Sequence, residues 1–143
     1  MNSNIESRVK EVINEFNQFK DWEDRYKHLI KLGKELATLP EEYRVEKNLI
    51  KGCQSKAWLH AEFKDGYIHF YGDSEAAIVK GIMAIALKVY SGSTPDEILK
   101  TGANFLEEIG LREHLSMSRS NGLSSLLKLV STYAIVFKNM ESK

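Results

Sequence analysis

A short stretch with strand periodicity, set between two long regions with helical periodicity, most constrains the fold of this chain. From Lys56 to Phe63 apolar residues alternate with Trp58 and His60, which is typical of a half-buried β-strand. Asp65-Gly66 follows, and this dipeptide favours a tight hairpin turn because glycine accepts a positive φ. The β-forming run from Tyr67 to Tyr71 then provides the partner strand.

The region before the hairpin predicts two helices. Apolar residues at helical spacing indicate a first helix that ends near Phe19, with Ser3 and Glu6 as a capping box. Asp21 is placed to cap a second helix, which Leu39-Pro40 ends because the residue before proline disfavours the helical conformation. The polar residues that follow lead into an irregular segment around position 53.

The region after the hairpin predicts further helices. Gly72-Asp73-Ser74 ends the sheet and caps a helix from about Glu75 to Tyr90, which is apolar on nearly all sides and is therefore expected in the core. Thr94-Pro95-Asp96-Glu97 has the cap, Pro and Glu of another helix start. A short segment follows around 105–109, and a last helix starts at Ser116 or Ser118. The order of these helices and strands along the chain predicts an α+β fold in one domain, residues 1–143, with a small antiparallel sheet packed against several helices.

The composition of the chain restricts the classes of partner that the protein is expected to bind. Hydrophobic residues make up 43% of the 143 residues, enough for one core without disulfides or metals. The formal net charge of zero gives no general attraction to nucleic acid or to an anionic membrane. No signal peptide is recognisable at the start, and the longest apolar-rich stretch, 78–90, is too short to span a bilayer. We therefore expect a cytoplasmic protein that binds neither nucleic acid nor membrane.

The chain has one cysteine, Cys53. It permits no intrachain disulfide, no four-thiolate cluster site and no Cys-rich zinc site, and we expect no bound metal. Two interpretations remain open: a buried, inert side chain, or a reactive thiol on a loop. Gly52 allows a tight loop around the sulfur, and the neighbouring Lys51 and Lys56 favour the nucleophilic thiolate.

Other polar residues have two interpretations each. Asp73 is either a helix cap or an exposed carboxylate on a partner surface, and Lys80 either reaches solvent or points toward an anion such as a thiolate or persulfide. Arg119 is expected to be exposed, either as a contact for a partner carboxylate or as part of the start of the last helix. His60 and His114 are candidate bases for a Cys–His hydrolase, although no cysteine protease signature surrounds Cys53.

Three segments, in order along the chain, resemble the SufE/CsdE family of sulfur-acceptor proteins. The first has the N-x-V-x-G-C-x-S-x-x-W pattern around the cysteine, with Ile in place of Val, and the third has the H-L-[ST]-x-S-R-x-x-G-L pattern. Lys56 and Ala57 replace the commoner Gln/Arg and Val, which leaves the identity of the partner open. The segments are 48–58 (NLIKGCQSKAW), 72–81 (GDSEAAIVKG) and 114–123 (HLSMSRSNGL).

The resemblance implies an α+β fold similar to that of IscU-type scaffolds, and a role as a sulfur carrier rather than as a scaffold. Cys53 would accept persulfide sulfur from a SufS-type or CsdA-type cysteine desulfurase, stimulate that enzyme, and pass the sulfur to a SufBCD-like scaffold. Pyridoxal phosphate would belong to the partner, and this chain would hold no cofactor and have no independent turnover. An alternative is a non-catalytic activator with a structural cysteine.

Side-chain type and the chemistry of a persulfide suggest which residues lie near the sulfur or on a partner surface. Candidate contacts to the anion or the partner are Lys51, Gln54, Ser55, Asp73, Lys80 and Arg119. Without a partner, the sulfur is expected to lie against apolar neighbours of the loop, namely Leu49, Ile50 and Trp58.

Overall fold

The computed structural model describes residues 4–52 and 55–141, so Cys53 and Gln54 lie outside the described residues. In this part of the chain, six helices accompany one two-stranded antiparallel sheet, which confirms the α+β prediction. Three short 3-10 turns lie at Glu41–Tyr43, Glu46–Asn48 and Arg112–His114. The elements are α1 (Ile5–Asn17), α2 (Trp22–Glu35), β1 (Ala57–Lys64), β2 (Tyr67–Ser74), α3 (Ala77–Tyr90), α4 (Pro95–Thr101), α5 (Asn104–Glu108) and α6 (Met117–Glu141).

The hairpin forms at the predicted dipeptide. Asp65 and Gly66 have φ values of 54° and 87°, the two consecutive left-handed residues that a type I′ turn requires. The register pairs Lys64 with Tyr67 at the turn and Ala57 with Ser74 at the far end. Strand β2 is thus three residues longer than the predicted end at residue 71. The extension makes 72–74 part of the sheet, where the sequence predicted a helix cap.

Helix α3 occupies the centre of the core, as its apolar composition predicts. It packs against β2 on one side and against α2 on another. The crossing with α2 depends on two glycines, because a Cβ on Gly33 would lie 2.8 Å from the backbone nitrogen of Gly81. A Cβ on Gly81 would collide with the carbonyl of Leu29. The two backbones are therefore in direct contact, and α2 has one fixed position on α3.

Local capping signals predicted two helix starts correctly. The Asp21 carboxylate accepts a hydrogen bond from the Asp24 backbone nitrogen at 2.9 Å and caps α2. Thr94 and Glu97 form the predicted capping box at the start of α4. At α1 the cap is Asn4, which accepts from the Ser7 backbone nitrogen at 2.8 Å, whereas the predicted Ser3 lies outside the described residues.

The end of one helix and the start of another differ from the predictions. Helix α2 ends at Glu35 rather than near Leu39, because Leu36 already has an extended backbone with ψ of 132°. Leu39 is nevertheless buried, so the chain leaves the helix and keeps its apolar side chain in the core. Helix α3 starts at Ala77, and no side chain caps it.

Helix α6 has the predicted apolar stripe. Its residues Leu123, Leu126, Val130 and Ala134 are buried, and Leu127, Tyr133 and Phe137 pack against them. Ser116 precedes the helix and accepts a hydrogen bond from the Arg119 backbone nitrogen at 3.3 Å, so of the two predicted starts, Ser116 and Ser118, the structure has the first. None of the helices in residues 4–52 and 55–141 combines the length and the apolar character needed to cross a membrane.

Candidate functional site beside the Cys53 loop

The loop that carries Cys53 is fixed at its base. The Ile50 backbone nitrogen donates to the Ala57 carbonyl at 2.8 Å, and Leu49 forms a bridge with Trp58. Gly52 has a φ of +86°, and a Cβ there would lie 3.3 Å from Ser125 Oγ of α6. The backbone conformation therefore favours glycine at position 52, and a larger residue there would also be in tight contact with the Ser125 side chain. The predicted residues Cys53 and Gln54 themselves lie outside the described residues.

A cavity of about 70 Å³ lies directly beside this loop. Its floor is apolar, because α3 contributes the buried Ile82 and Met83 and α6 contributes the buried Leu123 and Leu126. Three polar residues, Ser55, Ser118 and Arg119, are half-buried or exposed and mark the side that opens to solvent. The cavity is lined by Ile50, Ser55, Ala76, Val79, Ile82, Met83, Ser118, Arg119, Gly122, Leu123 and Leu126.

The predicted apolar neighbours of the sulfur are only partly found at this cavity. Ile50 lines it, but Leu49 and Trp58 are not among the residues that form its walls. Trp58 is buried away from these walls, and the guanidinium of Arg44 lies 5.0 Å from its ring centroid. The apolar surface next to the loop comes from α3 and α6, which the order of residues along the chain does not reveal.

Arg119 is exposed, as predicted, and it has a partner that the sequence did not indicate. Its Nη1 donates to the hydroxyl of Tyr26 at 2.7 Å, which joins the first turn of α6 to α2. Tyr26 packs edge-on against Trp22, and Trp22 stacks on His114 with ring centroids 4.2 Å apart. His114 therefore has a packing role here and does not line the cavity beside the loop.

Asp73 is neither a helix cap nor an exposed contact, so both predictions for this residue are wrong. Its side chain is only 3% exposed and forms ion pairs with Arg44 and with Lys80, the latter at 3.4 Å. It also accepts a hydrogen bond from the Ser74 backbone nitrogen at 2.8 Å. Lys80 does point toward an anion, but in the structure that anion is the carboxylate of Asp73. The candidate contact Lys51, in contrast, is exposed at the start of the loop.

Arg44 belongs to a segment, residues 40–50, that we call the strap because it crosses the outer face of the hairpin and continues into the Cys53 loop. Tyr43 of the strap stacks on His60 with ring centroids 3.8 Å apart, and its hydroxyl donates to Glu62 at 3.1 Å. Hydrogen bonds from His60 and Tyr43 hold the pKa of Glu62 below its usual value, and the bond to Glu62 raises the pKa of Tyr43. His60 is thus part of the contact between strap and sheet.

The described residues contain no group of three or more His, Cys, Asp or Glu side chains arranged to hold a metal ion. The site that they do form combines the fixed loop base, the apolar cavity floor and the cation at its open side.

Sequence reasoning missed Arg44 and Tyr26. Neither residue has a motif that marks it, since each acts on a residue 29 or 93 positions away in the chain.

Comparisons with known proteins agree with the sequence patterns. The family described as "SufE: Fe-S metabolism associated domain" matches residues 10–134. An uncharacterized SufE-like protein of Rhizobium meliloti is 40% identical over 88% of this chain and 94% of its own length. Another, from Synechocystis, is 33% identical over 96% of this chain and 86% of its own length.

A solved structure has the same fold. The solution structure of a hypothetical protein from Thermus thermophilus superimposes with a TM-score of 0.73, at 21% identity, over 89% of this chain and 93% of that chain. At this identity the likeness extends to the fold alone. The family match and the two relatives together establish that the chain belongs to the SufE family, whose domain is associated with iron–sulfur metabolism.

Proposed function

We propose that this protein is a sulfur carrier, with Cys53 as the residue that accepts the sulfur. The Cys53 thiolate attacks the outer sulfur of a persulfide on a SufS-type cysteine desulfurase. The sulfur–sulfur bond of that persulfide breaks, the desulfurase cysteine leaves as a thiolate, and Cys53 becomes the new persulfide. The transfer needs no external oxidant or reductant, because one sulfur atom moves between two thiolates.

The observation that carries the proposal is the cavity beside the Cys53 loop. Chain connectivity ties Cys53 to Gly52, which lies against α6, and through one residue to Ser55, which lines the cavity. An apolar floor suits a polarizable sulfur, and exclusion of water protects a persulfide from reductants in solution. The volume of about 70 Å³ accommodates a small group such as a terminal sulfur.

The charges near the loop favour the ionised sulfur that this chemistry needs. Lys51 and Lys56 are exposed on either side of the loop, and Arg119 lies at the open side of the cavity. Nearby cations lower the pKa of a thiol and so increase the fraction of nucleophilic thiolate. A persulfide is likewise an anion, and the hydroxyls of Ser55 and Ser118 are further donors at the same side.

The receiving partner in this proposal is a SufBCD-like scaffold in the cytoplasm, where thiols remain reduced. Faster turnover of the desulfurase follows from removal of its persulfide. Because the loop is fixed at its base and the cavity is small, we expect docking of either partner to move the sulfur out of the cavity before transfer.

Mixing the protein with a cysteine desulfurase and free cysteine tests the proposal. Intact-mass analysis should show the addition of one sulfur atom, and peptide mapping should locate it on Cys53. The Cys53→Ser variant should gain no sulfur and should not stimulate the desulfurase. Full stimulation by this variant would instead favour an activator with a structural cysteine.

Two histidine variants serve as matched controls. His60→Ala and His114→Ala should accept sulfur at the rate of the unchanged protein, because neither histidine lines the cavity. Loss of transfer in either variant, or hydrolysis of a small ester without a desulfurase, would favour the Cys–His hydrolase over the carrier.

A further inference from the structure

The hydroxyl of Tyr26 has no part in the core and is directed at Arg119. The residue lies in the first half of α2, and its ring is half-buried against the core. Its oxygen accepts the hydrogen bond from Arg119 Nη1 at 2.7 Å. This bond spans 93 residues of sequence and is a direct side-chain link between α2 and the exposed cation beside the cavity.

The tyrosine is held on the same rigid frame as the cavity. Its ring packs against Trp22, with centroids 6.1 Å apart, and Trp22 is itself fixed by stacking on His114. Helix α2 is in backbone contact with α3 through Gly33 and Gly81. Because α3 also supplies part of the cavity floor, the hydroxyl of Tyr26 has a defined position relative to that floor.

Arg119 needs such a partner if its charge is to act at one place. An exposed arginine has many accessible side-chain conformations, and its charge is then spread over a wide region of solvent. One hydrogen bond to a fixed oxygen restricts the guanidinium but uses only one of its several N–H donors. The remaining donors can serve an anion at the open side of the cavity, which Arg119 lines.

We infer that Tyr26 is a positioning residue, which holds the guanidinium of Arg119 at the open side of the cavity so that it stabilises the anionic sulfur of Cys53. This inference rests on the proposed function for its biological meaning. Tyr26 does not touch the sulfur in this arrangement. Its contribution is to concentrate the charge of Arg119 at the open side of the cavity, which lies beside the loop that carries Cys53.

Alkylation of Cys53 by iodoacetamide, followed as a function of pH without any desulfurase, tests the inference. The thiolate is the reacting form, so the midpoint of the rate profile reports how well the surroundings stabilise it. Arg119→Ala should move this midpoint upward by about 1 pH unit, the lower end of the effect of one nearby charge. Tyr26→Phe keeps the ring but removes the oxygen, and should move it upward by about half as much.

A double variant and a control complete the design. If Tyr26 acts through Arg119, the double variant should have the midpoint of Arg119→Ala alone rather than the sum of both shifts. Tyr67→Phe removes an exposed hydroxyl at the far end of the hairpin and should leave the midpoint unchanged. Lys51 and Lys56 are present in every variant and contribute a constant background.

The outcomes separate this inference from the proposed function. A Tyr26→Phe midpoint equal to that of the unchanged protein, or additive shifts in the double variant, would overturn the positioning role even if sulfur transfer to Cys53 is observed. The expected shifts in a chain that accepts no sulfur from a desulfurase would support the positioning role and overturn the carrier. Thermal denaturation of each variant establishes that it is folded under the assay conditions.

Discussion

The buried carboxylate of Asp73 provides the sharpest test of how the strap is held. Asp73→Asn keeps the size of the side chain and leaves the hydrogen bond from Ser74 possible, but removes the charge that pairs with Arg44 and Lys80. In asparagine an NH₂ group replaces one carboxylate oxygen, and this group donates hydrogen bonds. The side-chain nitrogens of Arg44 and Lys80 are also donors, so they cannot bond to it. The substitution therefore leaves two cations facing a side chain that no longer neutralises them.

The size of the effect follows from the exposure of the partners. Breaking a fully buried ion pair costs about 3–5 kcal/mol. The side chains of Arg44 and Lys80 remain 22% and 32% exposed, so water compensates part of the loss. We expect the free energy of unfolding to fall by about 3 kcal/mol, which for a chain of 143 residues lowers the melting temperature by roughly 9 °C.

Urea and thermal denaturation, monitored by circular dichroism, measure this change. Asp96→Asn is the matched control, because Asp96 pairs with Lys138 at 2.8 Å but its side chain is 59% exposed. Surface pairs of this kind contribute little, and the control should melt close to the unchanged protein. Equal stability of the two variants would refute the claim that the Asp73 carboxylate anchors the strap.

Two further predictions concern other parts of the core. Gly81→Ala should lower the free energy of unfolding, measured in urea, by about 3 kcal/mol, which is the upper end for overpacking. The reason is that the new Cβ meets the rigid backbone of Leu29 rather than a movable side chain. A stabilised variant would refute the backbone contact between α2 and α3. Burial raises the pKa of Tyr90 from 10.0 to about 12, so the folded state holds this proton more tightly, and stability should fall as pH rises from about 10 to 12. Tyr90→Phe should weaken that loss in urea titrations at several pH values, and an unchanged pH dependence would contradict it.

The parts of the fold that sequence predicted are those that depend on neighbours in the chain. The turn at Asp65-Gly66 needs only two residues that accept positive φ, and the capping box of Thr94 and Glu97 lies within four positions. The apolar stripe of α6 is likewise a local pattern. Such signals act in the same way in any protein, so they can be read without knowledge of the rest of the structure.

The parts that were missed depend on residues far away in the sequence. Asp73-Ser74 has the composition of a helix cap, but Arg44 and Lys80 place the carboxylate inside the protein and let β2 continue to Ser74. Tyr26 was correctly expected on the apolar face of α2, yet only the fold brings its hydroxyl to Arg119. For the same reason the family patterns indicated the loop and Arg119, but not the cavity between them.

The closed base of the Cys53 loop also limits how far the loop can extend from the rest of the protein. With Ile50 bonded to Ala57, and with the Lys56 carbonyl accepting a hydrogen bond from the Glu75 backbone nitrogen, five residues, 51 to 55, connect the two fixed points. A chain that goes out and returns over five residues projects no farther than about 10 Å, at roughly 3.4 Å per residue. In the proposed transfer, a donor sulfur that lies deeper than this below the surface of its own protein is out of range while the Ile50–Ala57 bond holds. The short loop therefore limits the proposed sulfur donors to proteins whose reactive sulfur lies at shallow depth.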